Sequence, residues 1–193
     1  MGDIILRLAR PDDAAQLLHI YAPYIGLPVT FEETVPTLEE FSGRVSQIAA
    51  MYPYIVAEMD SRIIGYGYIA RYRERASYRW CGETSLYLHP DATGHGLGTL
   101  IYGKLIAIAR MQELRHLYAA IVRPNPASEH IQEAHGFSLI GVYKSAGYKC
   151  GAWRDVVYYG LDLGIGDDPP REPIPVTALS KADLNRILHH REC

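Results

Sequence analysis

Three glycines at alternate positions, Gly94, Gly96 and Gly98, stand between a strand-like run, Glu83 to Leu88, and a helical pattern that continues to about Gln112. A chain that passes from strand to helix through such a run must turn tightly. It leaves several main-chain N–H groups pointing outward at a helix N-terminus. Those amides and the positive end of the helix dipole suit a phosphate or pyrophosphate. The spacing alone fits an ordinary glycine-rich turn equally well. A dinucleotide-binding fold would place the loop after its first strand, with an acidic residue about 20 positions further on. Here several strand-like runs come first, and Gln112-Glu113 falls at a helix end. A Walker-type loop would need Gly-Lys-Ser/Thr, and Gly98 is followed by Thr99 and Leu100.

Around this turn the periodicities alternate. Ile4 to Leu8 reads as a strand that stops at Pro11, and Asp12 and Asp13 are expected to cap a helix whose apolar positions are Ala14, Leu17, Leu18 and Tyr21. Thr37 and Glu40 form a capping box ahead of a helix over Leu38 to Ala50. Tyr54 to Met59 and Ile63 to Ile69 read as a hairpin closed at Asp60-Ser61. Beyond the glycine turn, Leu117 to Val122 is strand-like, Asn125 to Ala134 helical, and Ser138 to Tyr143 and Trp153 to Leu163 are strands. The composition changes after Leu163 to a Pro-rich run, DDPPREPIPV, with a short helix expected behind a Ser180/Asp183 cap. The expectation is a mixed α+β domain over residues 1–163 and an extension over 164–193.

Charge and cysteines narrow the partners. Lys plus Arg number 19 against 22 Asp plus Glu, so no overall positive field exists to hold nucleic acid or anionic lipid. No apolar stretch approaches the roughly 20 residues of a membrane span, and the start carries no apolar signal region. The cysteines, Cys81, Cys150 and Cys193, are odd in number and form no CxxC pair, which suits a reducing cytoplasm. The histidines show no metal-ligand spacing, including His189-His190, and no metal is expected.

In its position the glycine loop resembles the acyl-CoA turn of the GCN5-related N-acetyltransferases (GNAT). Asn125, Ser128, Glu133, Gly136 and Phe137 resemble that superfamily's second CoA-side motif. Over Thr30 to Leu163 the likeness narrows to the phosphinothricin and methionine sulfoximine N-acetyltransferases. It is carried by VTFEE (Val29 to Glu33), RYRERASYRWCGETSLYLHP (Arg71 to Pro90), RPNPAS (Arg123 to Ser128), EAHGF, GYKCGAWRDV (Gly147 to Val156) and the Pro-rich tail. The resemblance implies a twisted, mostly antiparallel sheet of about seven strands flanked by about four helices, with splayed central strands holding acetyl-CoA. It also implies a homodimer and a small-molecule amine acceptor. The sequence departs from the family pattern at two places. Thr93 stands where the loop usually opens with Gln or Arg. Gln132 stands seven residues after Asn125, where relatives carry a proton-donating Tyr or a His, and an amide supplies no proton at neutral pH.

The resemblance assigns roles residue by residue. Transfer to an amine needs a base, because the ammonium form predominates at neutral pH. Glu83 is the best candidate; the lesser alternative is a partly buried Glu in a structural ion pair with Arg79 or Arg75. Leu86, Tyr87 and Leu88 would meet acetyl-CoA through main chain, with an amide near Leu88 polarising the thioester carbonyl. Gly94, His95, Gly96, Leu97, Gly98 and Thr99 would hold its pyrophosphate. Asn125 and Ser128 would reach the same ligand, or simply cap a helix. Four Arg lie between Arg71 and Trp80. Arg73 and Arg75 suit the acceptor's carboxylate, since guanidinium binds carboxylate through paired donors. Phe31, Tyr78 and Trp80 would wall its pocket. Lys149, Trp153 and Asp155 would shape the pocket floor or a dimer contact. A different amine acceptor, or an acyl-CoA-binding module with weak catalysis, also fits these residues.

Overall fold

A computed structural model of the chain describes residues 3–164, 166 and 168–189; His190 and Cys193 lie outside the described residues. The elements in chain order are β1 (Ile5–Leu8), α1 (Ala14–Ile25), α2 (Leu38–Met51), β2 (Tyr54–Met59), β3 (Arg62–Arg71), β4 (Cys81–Leu88), α3 (Leu97–Met111), β5 (His116–Val122), α4 (Pro126–Ala134), β6 (Ser138–Lys149), β7 (Ala152–Asp162) and α5 (Lys181–His189). The strands form one seven-stranded sheet in the order β1-β2-β3-β4-β5-β7-β6. Only β4 and β5 pair in parallel. Helix α3 is the crossover between them, as a parallel pair requires.

Local chemistry sets most of the boundaries. Thr37 Oγ1 accepts the Glu40 N–H at 3.2 Å while the Glu40 carboxylate accepts the Thr37 N–H at 2.8 Å, so α2 begins on a complete capping box. Asp60 and Ser61 have φ of 50° and 64°, the left-handed pair that closes a two-residue hairpin. At α1 the expectation fails. Asp13 accepts from Arg7 at 2.7 and 2.9 Å and from the Arg10 N–H at 2.6 Å, so it locks a short 3₁₀ turn to β1 instead of capping the helix. Strand β6 outruns its predicted end at Tyr143. Its register is irregular between Tyr143 and Gly147, where Asp155 holds the Ser145 N–H (2.9 Å) and Lys144 (2.7 Å), and it then pairs again to Lys149.

Two hydrophobic layers sandwich the sheet. Leu17, Ile20 and Tyr21 of α1 and Phe41 and Val45 of α2 cover one face, against Tyr54, Val56 and Tyr66. Ile101, Leu105 and Ile108 of α3 cover the other, against Ile55, Ile69, Leu117 and Val157. Leu184 and Leu188 of α5 are buried in that second layer, so the Pro-rich extension runs along the core. Gln112 fastens it: this fully buried amide donates to the carbonyls of Met51 (2.7 Å) and Ile174 (2.8 Å). The Trp80 indole donates to the Arg171 carbonyl at 2.7 Å, which makes Trp80 an anchor for the extension and not a wall of the acceptor pocket.

Candidate active site

The parallel pair is short. Cys81, Gly82 and Glu83 pair with His116, Leu117 and Tyr118, and there the pairing ends although β4 continues to Leu88. The His89 N–H donates to the Ile64 carbonyl, and with the β3–β4 register this makes residues 83, 85 and 87 the ones bonded to β3. The main-chain groups of Thr84, Leu86 and Leu88 therefore point the other way, into the wedge that opens beyond Glu83. A wedge of unpaired strand groups is a ladder for any extended ligand with its own amides. Leu88 already has an occupant: the Tyr24 hydroxyl donates to its carbonyl at 2.7 Å and accepts its N–H at 3.2 Å. Of the outward amides of Leu86 and Leu88, that of Leu86 is the nearer to Glu83.

The glycine turn closes the far end of the wedge. Gly94 and Gly96 both have φ of 77°, which side-chain-bearing residues rarely adopt, and Gly96 is the left-handed residue preceding α3. A Cβ on Gly98 would lie 2.9 Å from Leu86 and 3.0 Å from Ile131, so glycine there lets α3 sit close to β4 and α4. Thr93 donates its hydroxyl to the Pro90 carbonyl at 2.8 Å, and His95 and Thr99 are exposed at the turn. Asn125 Oδ1 accepts the Ser128 N–H at 3.2 Å, so both residues serve as the cap and first turn of α4.

Side chains alternate across β4. Thr84, on the α3 face, opens a buried polar chain. Its hydroxyl contacts the Tyr118 carbonyl at 3.1 Å and the Tyr102 hydroxyl, and Gln132 Nε2 lies 2.7 Å from Tyr102. A carbonyl only accepts, so Thr84 donates to Tyr118, Tyr102 donates to Thr84, and Gln132 donates to Tyr102. Burial pushes the Tyr102 hydroxyl up to about 12. The chain is a brace beneath the wedge apex, and it takes one of the two Gln132 amide hydrogens.

Glu83, Ser85 and Tyr87 face α1 and α2. Burial raises the Glu83 carboxyl above its ordinary value, and nearby Arg73 pulls it partly back. Arg73 lies over the rings of Tyr72 and Tyr78, 5.0 and 5.7 Å from their centroids, and Tyr72 stacks on Tyr118 at 4.3 Å. Ser85 and Tyr68 are directly paired across β3 and β4, with Tyr54 next along the row. The loop before α2 walls this side. The Phe31 ring presses on Gly147, and Glu32 accepts from Tyr21 at 2.7 Å and Arg44 at 2.5 Å. Buried Lys149 donates to the Glu32 carbonyl, which ties this loop to the β6–β7 hairpin.

The wedge thus gathers Glu83, Leu86, Leu88 and the turn from Gly94 to Thr99, with Arg73 beside Glu83 on the face turned away from α3. Arg75 is exposed and makes no side-chain hydrogen bond among the described residues. Arg79 is taken by Glu172 at 2.7 and 2.6 Å, which removes it as the ion-pair partner of Glu83. Sequence reasoning missed Tyr24, Tyr68, Tyr72, Tyr102 and Tyr118. The available signal was compositional: 15 Tyr against 3 Phe, an excess of hydroxyls in a core that needed only rings. No group of three or more His, Cys, Asp or Glu among the described residues is placed to hold a metal.

The family model for the acetyltransferase (GNAT) domain matches residues 6–158. The chain belongs to the GNAT acetyltransferase family. Among curated relatives, the phosphinothricin N-acetyltransferase of Alcaligenes faecalis is 38% identical over 165 residues, covering 84% of each chain. The L-methionine sulfoximine/L-methionine sulfone acetyltransferase of Salmonella typhimurium is 28% identical, over 82% of this chain and 94% of the relative. The solved phosphinothricin acetyltransferase of Sinorhizobium meliloti, in complex with acetyl-CoA, superposes with a TM-score of 0.82 at 33% identity, over 89% of this chain and 93% of that one. This acetyltransferase is an enzyme that uses acetyl-CoA as the acyl donor, and its residues fit that substrate. Two left-handed glycines at the start of α3 suit the pyrophosphate, and the outward groups of Leu86 and Leu88 suit the pantetheine amides.

Proposed function

We propose that this GNAT enzyme acetylates the α-amino group of a small amino acid analogue of the phosphinothricin or methionine sulfoximine kind, with both substrates bound together. The observation that carries the reading is the placement of Glu83. It lies at the apex of the wedge, on the strand whose free groups lead to α3, and it feels Arg73 on the acceptor side. Acetyl-CoA supplies the activated acetyl group. Arg73, steadied by two aromatic rings, takes the acceptor's carboxylate through paired donors. That docking turns the ammonium toward Glu83, which removes a proton directly or through one water, and a raised carboxyl pKa makes it a better base near neutral pH. The outward Leu86 amide offers a hydrogen bond where charge develops on the acyl oxygen. Ser85 and Tyr68 lie one register step from Glu83, in the direction an acceptor side chain would run. Gln132 donates to Tyr102 and, as an amide, gives up no proton, so the proton for the leaving thiolate comes from another group or from solvent.

Resistance to analogues of this kind is the biological role we assign, in the cytoplasm, where acetyl-CoA is available. No described helix is long and apolar enough to cross a membrane. A homodimer is part of the same reading, and Tyr148 and Trp153, which lie on the β6–β7 hairpin and are more than half exposed, favour it. The test is a panel assay of free thiol release from acetyl-CoA with single amines. Release confined to acceptors of the methionine sulfoximine type supports the proposal. Release with unrelated amines assigns another acceptor, and tight CoA binding without turnover leaves an acyl-CoA-binding module.

A further inference from the structure

Leu88 is the last outward-facing residue of β4, and both of its main-chain groups are held by one side chain. The Tyr24 hydroxyl donates to the carbonyl and accepts from the N–H. A single hydroxyl that does both reproduces the hydrogen-bonding valence of an amide. Tyr24 reaches this place from α1, with its ring set edge-on against Tyr87 at 5.2 Å, and it remains partly accessible at the wedge. The main chain at Thr84 borders the last parallel pair with β5, Glu83 with Tyr118, so Leu86 and Leu88 are the two places where an extended ligand can pair with the strand.

We propose that Tyr24 is a built-in competitor of the pantetheine arm: its hydroxyl stands in for a ligand amide at Leu88, leaves when acyl-CoA enters, and returns to help expel CoA. The inference rests on the reading of the wedge as the acyl-CoA cleft. Its consequence is a weaker hold on substrate and product alike, because acetyl-CoA and CoA carry the same amides. The competition spares any ligand that ends at the pyrophosphate, since such a ligand never reaches Leu88.

The experiment is calorimetric titration of wild type and Tyr24→Phe with CoA, acetyl-CoA and adenosine 3′,5′-bisphosphate, which lacks the pantetheine arm. Phe keeps the ring on Tyr87 and removes only the hydroxyl. CoA and acetyl-CoA are expected to bind about three- to tenfold more tightly to the variant, the net worth of one hydrogen bond. The CoA dissociation rate should fall by a similar factor in stopped flow, and the bisphosphate affinity should not move. Unchanged or weaker CoA binding overturns the proposal, and so does equal tightening of the bisphosphate. Tyr24→Met, which also lacks the hydroxyl, carries the same expectation if the Phe variant does not fold. Absence of CoA binding by the wild type would instead overturn the reading of the cleft itself.

Discussion

Replacing Glu83 with Gln keeps the size of the side chain and removes a carboxylate that the fold holds in a partly buried place. Two consequences follow, with opposite signs. Positioned general bases contribute about 10²–10⁴ in rate, so kcat in Glu83→Gln should fall by about that factor. At about 1.4 kcal/mol per decade this is a barrier increase of about 3–5 kcal/mol. CoA affinity should hold, because the cleft is built from the Leu86 and Leu88 main chain and the start of α3. Stability should move the other way. The folded state raises the Glu83 pKa above its unfolded value, chiefly by burial, so it binds this proton more tightly than the unfolded chain does. The corresponding stability is full below the unfolded pKa and is lost as pH rises through the folded pKa. Near neutral pH the wild type bears the cost of a buried charge, softened by Arg73, and the neutral amide does not. The variant should therefore melt above the wild type at neutral pH, and the gap should close as pH falls below the ordinary carboxylate range. Thermal melts across that range, beside kcat and a CoA titration, test both. Full activity would end the base assignment. A lower melting point at neutral pH would show that the charge is favourably held and would refute the burial argument.

Arg73→Gln should raise the acceptor KM by about ten- to hundredfold while sparing CoA affinity, as expected for loss of a charge-assisted carboxylate contact. It should also move the acid limb of kcat/KM to higher pH, because Glu83 loses the cation that lowers its pKa. Gly96→Ala places a side chain at φ 77° with nothing within 4 Å of the new Cβ, so its cost is purely backbone, about 1–2 kcal/mol. A CoA affinity lowered about tenfold, with a near-normal acceptor KM, is the expected signature. Gly147→Ala puts a Cβ 2.5–2.9 Å from three atoms of the Phe31 ring, a stiff neighbour, and overpacking of this kind costs about 1–3 kcal/mol. Its melting point should fall by several degrees, and the acceptor KM should suffer more than CoA affinity, because Phe31 belongs to the acceptor-side loop.

Elements whose limits are set by local chemistry were legible in the sequence. The Thr37/Glu40 box, the Asp60-Ser61 hairpin and the glycine turn each carry their own boundary, and each stands where the pattern puts it. Asp13 misled because a carboxylate after a strand serves a tertiary arginine as readily as a helix N-terminus, and Arg7 lies far enough into the fold to win it. The continuation of β6 past Tyr143 was hidden by KSAG, whose irregular register depends on Asp155 of the next strand. At the site, motif residues were readable but their hydrogen-bond partners were not. Arg79 looked available to Glu83 until the extension brought Glu172 to it. Tyr24 and Tyr102 sit at ordinary helical core positions, and nothing in a linear pattern says where a hydroxyl at the end of a buried ring will land.

The wedge itself follows from topology. A parallel neighbour must be reached by a crossover, and α3 returns the chain to β5 with its own N-terminus left at the end of β4. Strand β5 pairs with β7 along its whole length, from His116 to Val122, so beyond Glu83 it is held by its other neighbour and β4 is left open on that side. An open strand in mid-sheet carries donors and acceptors that folding has removed from a ladder without replacement. Here they are treated unequally, because Leu88 is closed by Tyr24 whereas no side-chain hydrogen bond reaches the Leu86 main chain among the described residues. Amide hydrogen exchange should read this difference directly. In the free enzyme the Leu88 amide should exchange more slowly than that of Leu86. Acetyl-CoA should then protect Leu86 strongly and Leu88 little, because at Leu88 one partner replaces another. In Tyr24→Phe both amides should start fast and gain protection together. Equal protection of the two in the free wild type would mean that the wedge is closed by something other than Tyr24, and the ladder account of CoA binding would fail with it.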